Sequence, residues 1–194
     1  MLVALLAAGT VLVPVAGDQF RYSVSTGEHV TLEVLRVEPR AEQLVATVRE
    51  RRVWPDGTSE EAQFDLVRTA QALALDMPPA ADNARLSPLV YFFASASVRD
   101  SWLAQQGVFL DPTGNQVRYQ IQARVDAIET ITGPAGTFPG CRRVSYTSTL
   151  DSGRSPDRVT RLTLWLHPDI GIVRSYSVTG TSARLTELVG YRKF

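Results

Sequence analysis

The side chains best suited to act as base, nucleophile or metal ligand are few: His29, His167 and Cys141 are the only histidines and the only cysteine in the 194 residues. A serine nucleophile needs a base within hydrogen-bond reach and a third group to orient it. No Gly-x-Ser-x-Gly elbow occurs. His29 falls at a polar strand start and His167 beside a turn, so both read as solvated or edge histidines. Two histidines and one cysteine could supply three zinc ligands, but their spacing matches no zinc-binding frame. Cys141 opens a strand after a loop and reads as a small buried apolar group. A lone cysteine allows no internal disulfide.

Paired carboxylates could serve a glycosidase. Glu60 and Glu61 are adjacent, so on a strand they point to opposite faces. Asp126 and Glu129 flank apolar residues near a strand end and read as surface charges. No Gly-rich phosphate loop followed by lysine is present. The expectation is a non-enzymatic protein with no catalytic residue, metal or cofactor.

Binding is the remaining function, and the aromatic residues are its candidates. In a closed core they simply pack. In an open half-barrel some would line an apolar groove fit for an acyl chain or apolar peptide. The groove candidates are Tyr22, Trp54, Phe64, Tyr91, Phe92, Trp102, Tyr119 and Trp165, with Tyr91 to Phe93 and Trp102 at the lid or rim.

The elements that would position them follow from composition and pattern. The chain is 44% hydrophobic and 21% charged, with no net charge. Surface scaling for this mass gives about 9,000 Å² exposed when folded against about 31,000 Å² unfolded, enough burial for a core without disulfides or metals. Arg49, Arg51 and Arg52 form the densest basic run, and Glu50 interrupts it. That is a solvated strand face and not the basic stripe of a nucleic-acid binder.

Period-two alternation bounded by turn residues dominates. Phe20, Tyr22 and Val24 alternate with polar neighbours, as do Val30, Leu32 and Val34. Leu44 to Trp54 is a long strand, and Pro55-Asp56-Gly57 is a tight turn. Return strands are expected at 59–69 and 72–75. Residues 77–87 form a loop, or a short helix near 80–85. Residues 88–97 are apolar without clean alternation, a buried strand or a helical turn. Val117, Tyr119, Ile121, Ala123 and Val125 alternate again. Residues 133–140 read as a Gly/Pro loop. Strands follow at 142–150, 158–167, 172–179 and 184–192.

Short turns force consecutive strands to pair antiparallel. A sheet of nine or ten strands tends to curl or close. The predicted fold is all-β: a strongly curved antiparallel meander, half-barrel or open barrel, with one short helix or loop covering it. Residues 1–10 read as the remnant of a signal segment and 11–194 as a single β domain. The apolar first seventeen residues lack a positive n-region. Two readings stay open: cleavage after Gly17, or a signal ending near Gly9 with Leu12 to Gly17 already in the domain. The second is preferred, because Pro14 and Gly17 suit a strand-entry turn. Thr10 stands where a lipoprotein cysteine would follow Leu5 to Gly9. No segment reads as a transmembrane span.

Three segments carry a family resemblance: LVPVAGDQFRY (12–22), PAGTFPGCRRV (134–144) and LWLHPDIGIVR (164–174). The chain resembles uncharacterised bacterial envelope β-proteins with the hallmark P-L-x-x-G-x-x-W-x-Y, then P-A-G-T-F-x-x-C-x-x-V, then W-Y-A-P-G-V-G-L-V-K. Those are similar to the lipoprotein-carrier (LolA-like) half-barrels, whose curved sheet holds an apolar concave face. Phe20 stands where the hallmark has tryptophan, and His167 with Asp169-Ile170 replaces its Ala-Pro-Gly-Val wording. Gly136 and Gly171 suit turns with unusual backbone angles; Phe138 and Trp165 read as core packing. The resemblance implies fold and compartment, a periplasmic or secreted β-domain, and supplies no chemistry; the concave sheet face could carry a lipid or other hydrophobic ligand. The alternative is a structural or protein-interaction module with a filled core and an envelope protein as partner.

Overall fold

The computed structural model describes residues 13–76, 85–86, 89–93, 95–110, 114–151 and 160–194. Every regular element among them is a strand: β1 (Gln19–Val24), β2 (His29–Arg40), β3 (Gln43–Val53), β4 (Ser59–Arg68), β5 (Ala72–Asp76), β6 (Arg85–Leu86), β7 (Leu89–Phe93), β8 (Ser101–Leu110), β9 (Gln116–Gly133), β10 (Gly136–Asp151), β11 (Thr160–His167), β12 (Gly171–Thr179) and β13 (Ser182–Arg192). They form one thirteen-stranded sheet in the order β6-β8-β9-β10-β11-β12-β13-β1-β2-β3-β4-β5-β7. All neighbours pair antiparallel. The all-β, strongly curved and nearly closed sheet is the architecture that the alternation predicts.

The alternation works as expected because one face of each strand is sealed from water. Phe20, Tyr22 and Val24 are buried on β1, and Val117, Ile121, Ala123 and Val125 on β9. At the β3–β4 turn Gly57 has φ +84, and Asp56 Oδ1 accepts the Thr58 amide at 2.9 Å, an Asx-type lock. The apolar side chains gather in clusters. One joins Leu73, Ile121, Val144, Tyr146 and Leu164; another joins Phe20, Tyr22, Ile131, Phe138, Cys141 and Leu188. Each fully buried aliphatic side chain contributes about 1.5–3 kcal/mol.

Bulges bend the long strands. The β9–β10 ladder slips between Phe138 and Cys141 and again between Arg143 and Val144. The bent hairpin carries Thr132 across to β12, where its carbonyl accepts Arg174 Nη2 at 3.0 Å. Residues 133–140 are therefore not the loop that their Gly/Pro content predicts. β9 continues to Gly133 and β10 resumes at Gly136, whose φ of +128 makes the tight turn. Pro139 falls within the slip, where a missing amide costs no ladder bond. Residues 89–93 are a strand, which settles the choice left open there. β8 had no counterpart among the expected strands. The expected remnant at 1–10, most of the loop or short helix near 80–85 and the whole turn at 152–157 lie outside the described residues.

The segment ahead of β1 and the C-terminal residue meet on one carboxylate. Asp18 is fully buried; its Oδ2 accepts the Val15 amide and its Oδ1 the Phe194 amide, each at 3.0 Å. Gly17, at φ +96, lies under the Phe194 ring, where a Cβ would come within 3.1 Å. The ends of the strand order are β6 and β7, so the sheet's own interruption lies elsewhere. There side chains substitute for a ladder. Trp102 Nε1 on β8 donates to the Val90 carbonyl at 3.1 Å, and the Tyr146 hydroxyl donates to the Tyr91 carbonyl. Phe93 meets Trp102 edge-on at 5.6 Å, and Tyr91 meets Tyr146 at 6.5 Å.

Candidate binding cavity

The concave face of the sheet lines a partly open cavity of about 300 Å³. β1 supplies Phe20 and Tyr22, and β2 Leu32 and Val34. β3 gives Val48 and Glu50, β4 Phe64 and Leu66, and β5 Leu73 and Leu75. Tyr91 enters from β7, and Leu166, Ile170 and Ile172 flank the β11–β12 turn. Pro14 adds a wall from ahead of β1. These are alternate residues of neighbouring strands: Leu32 pairs Glu50, and Val48 pairs Phe64, so each pair shares a face.

Few polar groups reach this space. The Tyr22 hydroxyl donates to the Ile172 carbonyl at 3.0 Å. Burial pushes the Tyr22 phenol far above its ordinary range, and the nearby Tyr91 adds to the effect. Tyr91 is pushed up to about 12, first by burial and then by the negative charge of Glu50. Glu50 is the one charged residue among the described lining residues. Its Oε1 accepts Arg52 Nη2 at 2.9 Å. Two phenols and a carboxylate on an otherwise apolar wall can orient an apolar ligand.

Of the aromatic candidates, the structure brings Tyr22, Phe64 and Tyr91 into the cavity lining. Trp102 and Tyr119 pack against the neighbouring hydrophobic cluster instead. Trp54 stands at the β3–β4 turn, where its carbonyl accepts the Gly57 amide. Phe92 lies in β7, and its side chain is outside the described ones. Trp165, at the register shift of the β11–β12 ladder, is half-buried and packs against the cluster that holds Phe138 and Cys141. Its Nε1 donates to Glu129 Oε1 at 2.7 Å, and the Arg174 guanidinium sits 5.8 Å from its ring centre. It clamps the bent hairpin down and does not line the cavity. Glu50 was missed because it interrupts an arginine run; the continued alternation Val48, Glu50, Arg52 is the signal that places it inside.

The remaining chemistry-bearing side chains stand apart. His29 is exposed. His167 accepts the Asp169 amide at Nδ1 and meets the Phe138 ring at 5.9 Å. Cys141 is fully buried, donates to the Phe138 carbonyl and has its thiol pushed up to about 11, mainly by burial. Among the described residues no group of three His, Cys, Asp or Glu side chains could hold a metal ion. Among them too, no helix is long and apolar enough to cross a membrane.

No curated protein matches the chain in sequence. Solved structures do match its fold. A Bacteroides fragilis protein with a YmcC-like fold, described as a candidate exported protein, aligns over 96% of this chain and 100% of its own with a TM-score of 0.67 at 16% identity. A candidate lipoprotein from Parabacteroides distasonis aligns over 95% and 99%, with a TM-score of 0.66 at 18% identity. Residues 104–186, from β8 into β13, match the family model described as DUF3108-like, and over that stretch the chain is similar to this family.

Proposed function

We propose that this chain is a non-enzymatic, extracytoplasmic β-domain that carries a lipid or other hydrophobic ligand inside its curved sheet. The observation that carries the reading is the cavity itself, walled by aliphatic and aromatic side chains with one carboxylate. Its volume of about 300 Å³ reaches the lower end of the roughly 300–1,000 Å³ that small-molecule sites occupy. A domain serving only as an interaction module has no need of interior space, and close packing is the default for protein interiors. The three motifs resemble envelope β-proteins that are in turn similar to lipoprotein-carrier half-barrels, and that second likeness favours carriage. The descriptions of the two similar structures as a candidate exported protein and a candidate lipoprotein favour the periplasm or the exterior.

Native mass spectrometry of protein purified from a bacterial envelope tests the reading. The expected result is a bound apolar species in the wild type and its loss in Leu32→Trp, which fills the space beside Glu50. A wild type that carries no added mass and takes up no apolar fluorescent probe would exclude carriage and leave the interaction module.

A further inference from the structure

Beside the Tyr91 hydroxyl, which can donate as well as accept, the polar side-chain atoms of the cavity can only accept. Tyr22 spends its only proton on the Ile172 carbonyl at 3.0 Å, so its oxygen faces a ligand with lone pairs. Glu50 presents a carboxylate, which accepts and does not donate. No lysine, arginine or histidine is among the described lining residues. Arg52 stands next along the same face of β3, but its Nη2 is already 2.9 Å from Glu50 Oε1. An anionic head would have to compete with a carboxylate already in place on that guanidinium. It would also meet the like charge of Glu50 beside apolar walls, where repulsion is poorly screened.

We infer that the ligand is a single-chain amphiphile whose head donates hydrogen bonds and bears no negative charge: an alcohol, amide or amine on an aliphatic tail, and not a fatty-acid anion. This rests on the carriage reading. The tail lies against Leu66, Leu73, Leu75 and Phe64, and the head reaches Glu50 and the Tyr22 oxygen. A cationic head gains most, because a charge-assisted hydrogen bond to a carboxylate is roughly twice as strong as a neutral one.

The test uses the full chain, freed of bound lipid and loaded with N-phenyl-1-naphthylamine. Decanol, decylamine and decanoate are then compared as displacers at neutral pH, where decanoate is ionised. Decanol and decylamine are expected to displace the probe at concentrations about tenfold or more below decanoate. Glu50→Gln should abolish the advantage of decylamine over decanol, with a thermal melt confirming that the variant is folded. The wild-type ranking stands even if that variant does not fold. Decanoate binding as well as the other two would overturn the head-group inference and leave carriage intact. A chain that takes up neither the probe nor any of the three would overturn both.

Discussion

Trp102 donates its indole N–H to the Val90 carbonyl at 3.1 Å, and this bond crosses the place where β7 and β8 come together without a ladder between them. It holds the edge of a sheet that would otherwise present free carbonyls to any passing strand. The same ring meets Phe93 edge-on, so one residue both satisfies the edge and packs it.

Trp102→Phe keeps the ring contact and removes the donor. A loss of about 1–2 kcal/mol is expected, the cost of leaving one carbonyl without its partner. Amide exchange should quicken in β7 and stay unchanged in β1 and β13, because openings are local. An equal rise in all three strands would show that the bond does not guard this edge specifically.

Asp18→Ala strips two backbone amides of their acceptor, those of Val15 and Phe194. The expected destabilisation in urea is about 2–4 kcal/mol. Asp18→Asn keeps one carbonyl oxygen and should lose less. Equal melts for wild type and the alanine variant would show that the carboxylate does not tie these two segments together.

Alkali should unfold the chain. Burial raises the phenols of Tyr22, Tyr91 and Tyr146 above the ordinary value of 10.0. The unfolded chain therefore releases these protons first, and stability must fall as pH rises above 10. The contribution is fully present below the unfolded value and is lost as pH passes through the folded ones. Ultraviolet titration should show these three of the six tyrosines ionising only with unfolding, seen as a cooperative step in circular dichroism. Smooth ionisation of all six in the folded protein would contradict the burial.

Cys141 should be inert to Ellman's reagent at neutral pH. It has no exposed surface, and its thiol, raised from 9.0 to about 11, stays protonated there. Its share of stability is complete below about 9 and drains away as pH rises through about 11. Labelling should track unfolding in urea; fast labelling of the native chain would place the thiol at the surface.

Trp165→Phe removes the N–H that reaches Glu129 at 2.7 Å, leaving that carboxylate to Arg143 at 3.4 Å. A loss of about 1–2 kcal/mol is expected, less than for a core tryptophan because the ring is half-buried. A larger loss, with apolar-probe uptake unchanged, would mean that the ring supports more of the hairpin than this contact.

The meander was legible wherever one strand face is dry and the other wet, as in Phe20-Tyr22-Val24 and Val117 to Val125. It was illegible where the ladder slips. β8 has a register shift between Leu103 and Gln105, which breaks the period that would have revealed it. Gly133, Pro134, Gly136 and Pro139 carry the chemistry of a loop, yet the structure uses them for a hairpin turn and a bulge. Tyr22, Phe64 and Tyr91 could be named as aromatic candidates from residue type alone. Their meeting in one cavity depends on β1, β4 and β7 converging, which no local pattern encodes. Trp165 was named both for the core and for the cavity: it packs at the edge of the cluster of Phe20, Phe138 and Leu188 and is not in the cavity lining.

The strand order sets the Asp18 tie and the wall's gap far apart. β13 and β1, which flank that tie, sit mid-list, while the gap lies where the list begins and ends. The tie between the segment ahead of β1 and Phe194 is backed by a ladder on both sides of β1, whereas the gap is spanned by indole, phenol and ring contacts. Tyr91 belongs both to that gap and to the lining of the cavity. One residue therefore couples the seam between β7 and β8 to the cavity wall, on the side of the sheet away from the Asp18 tie.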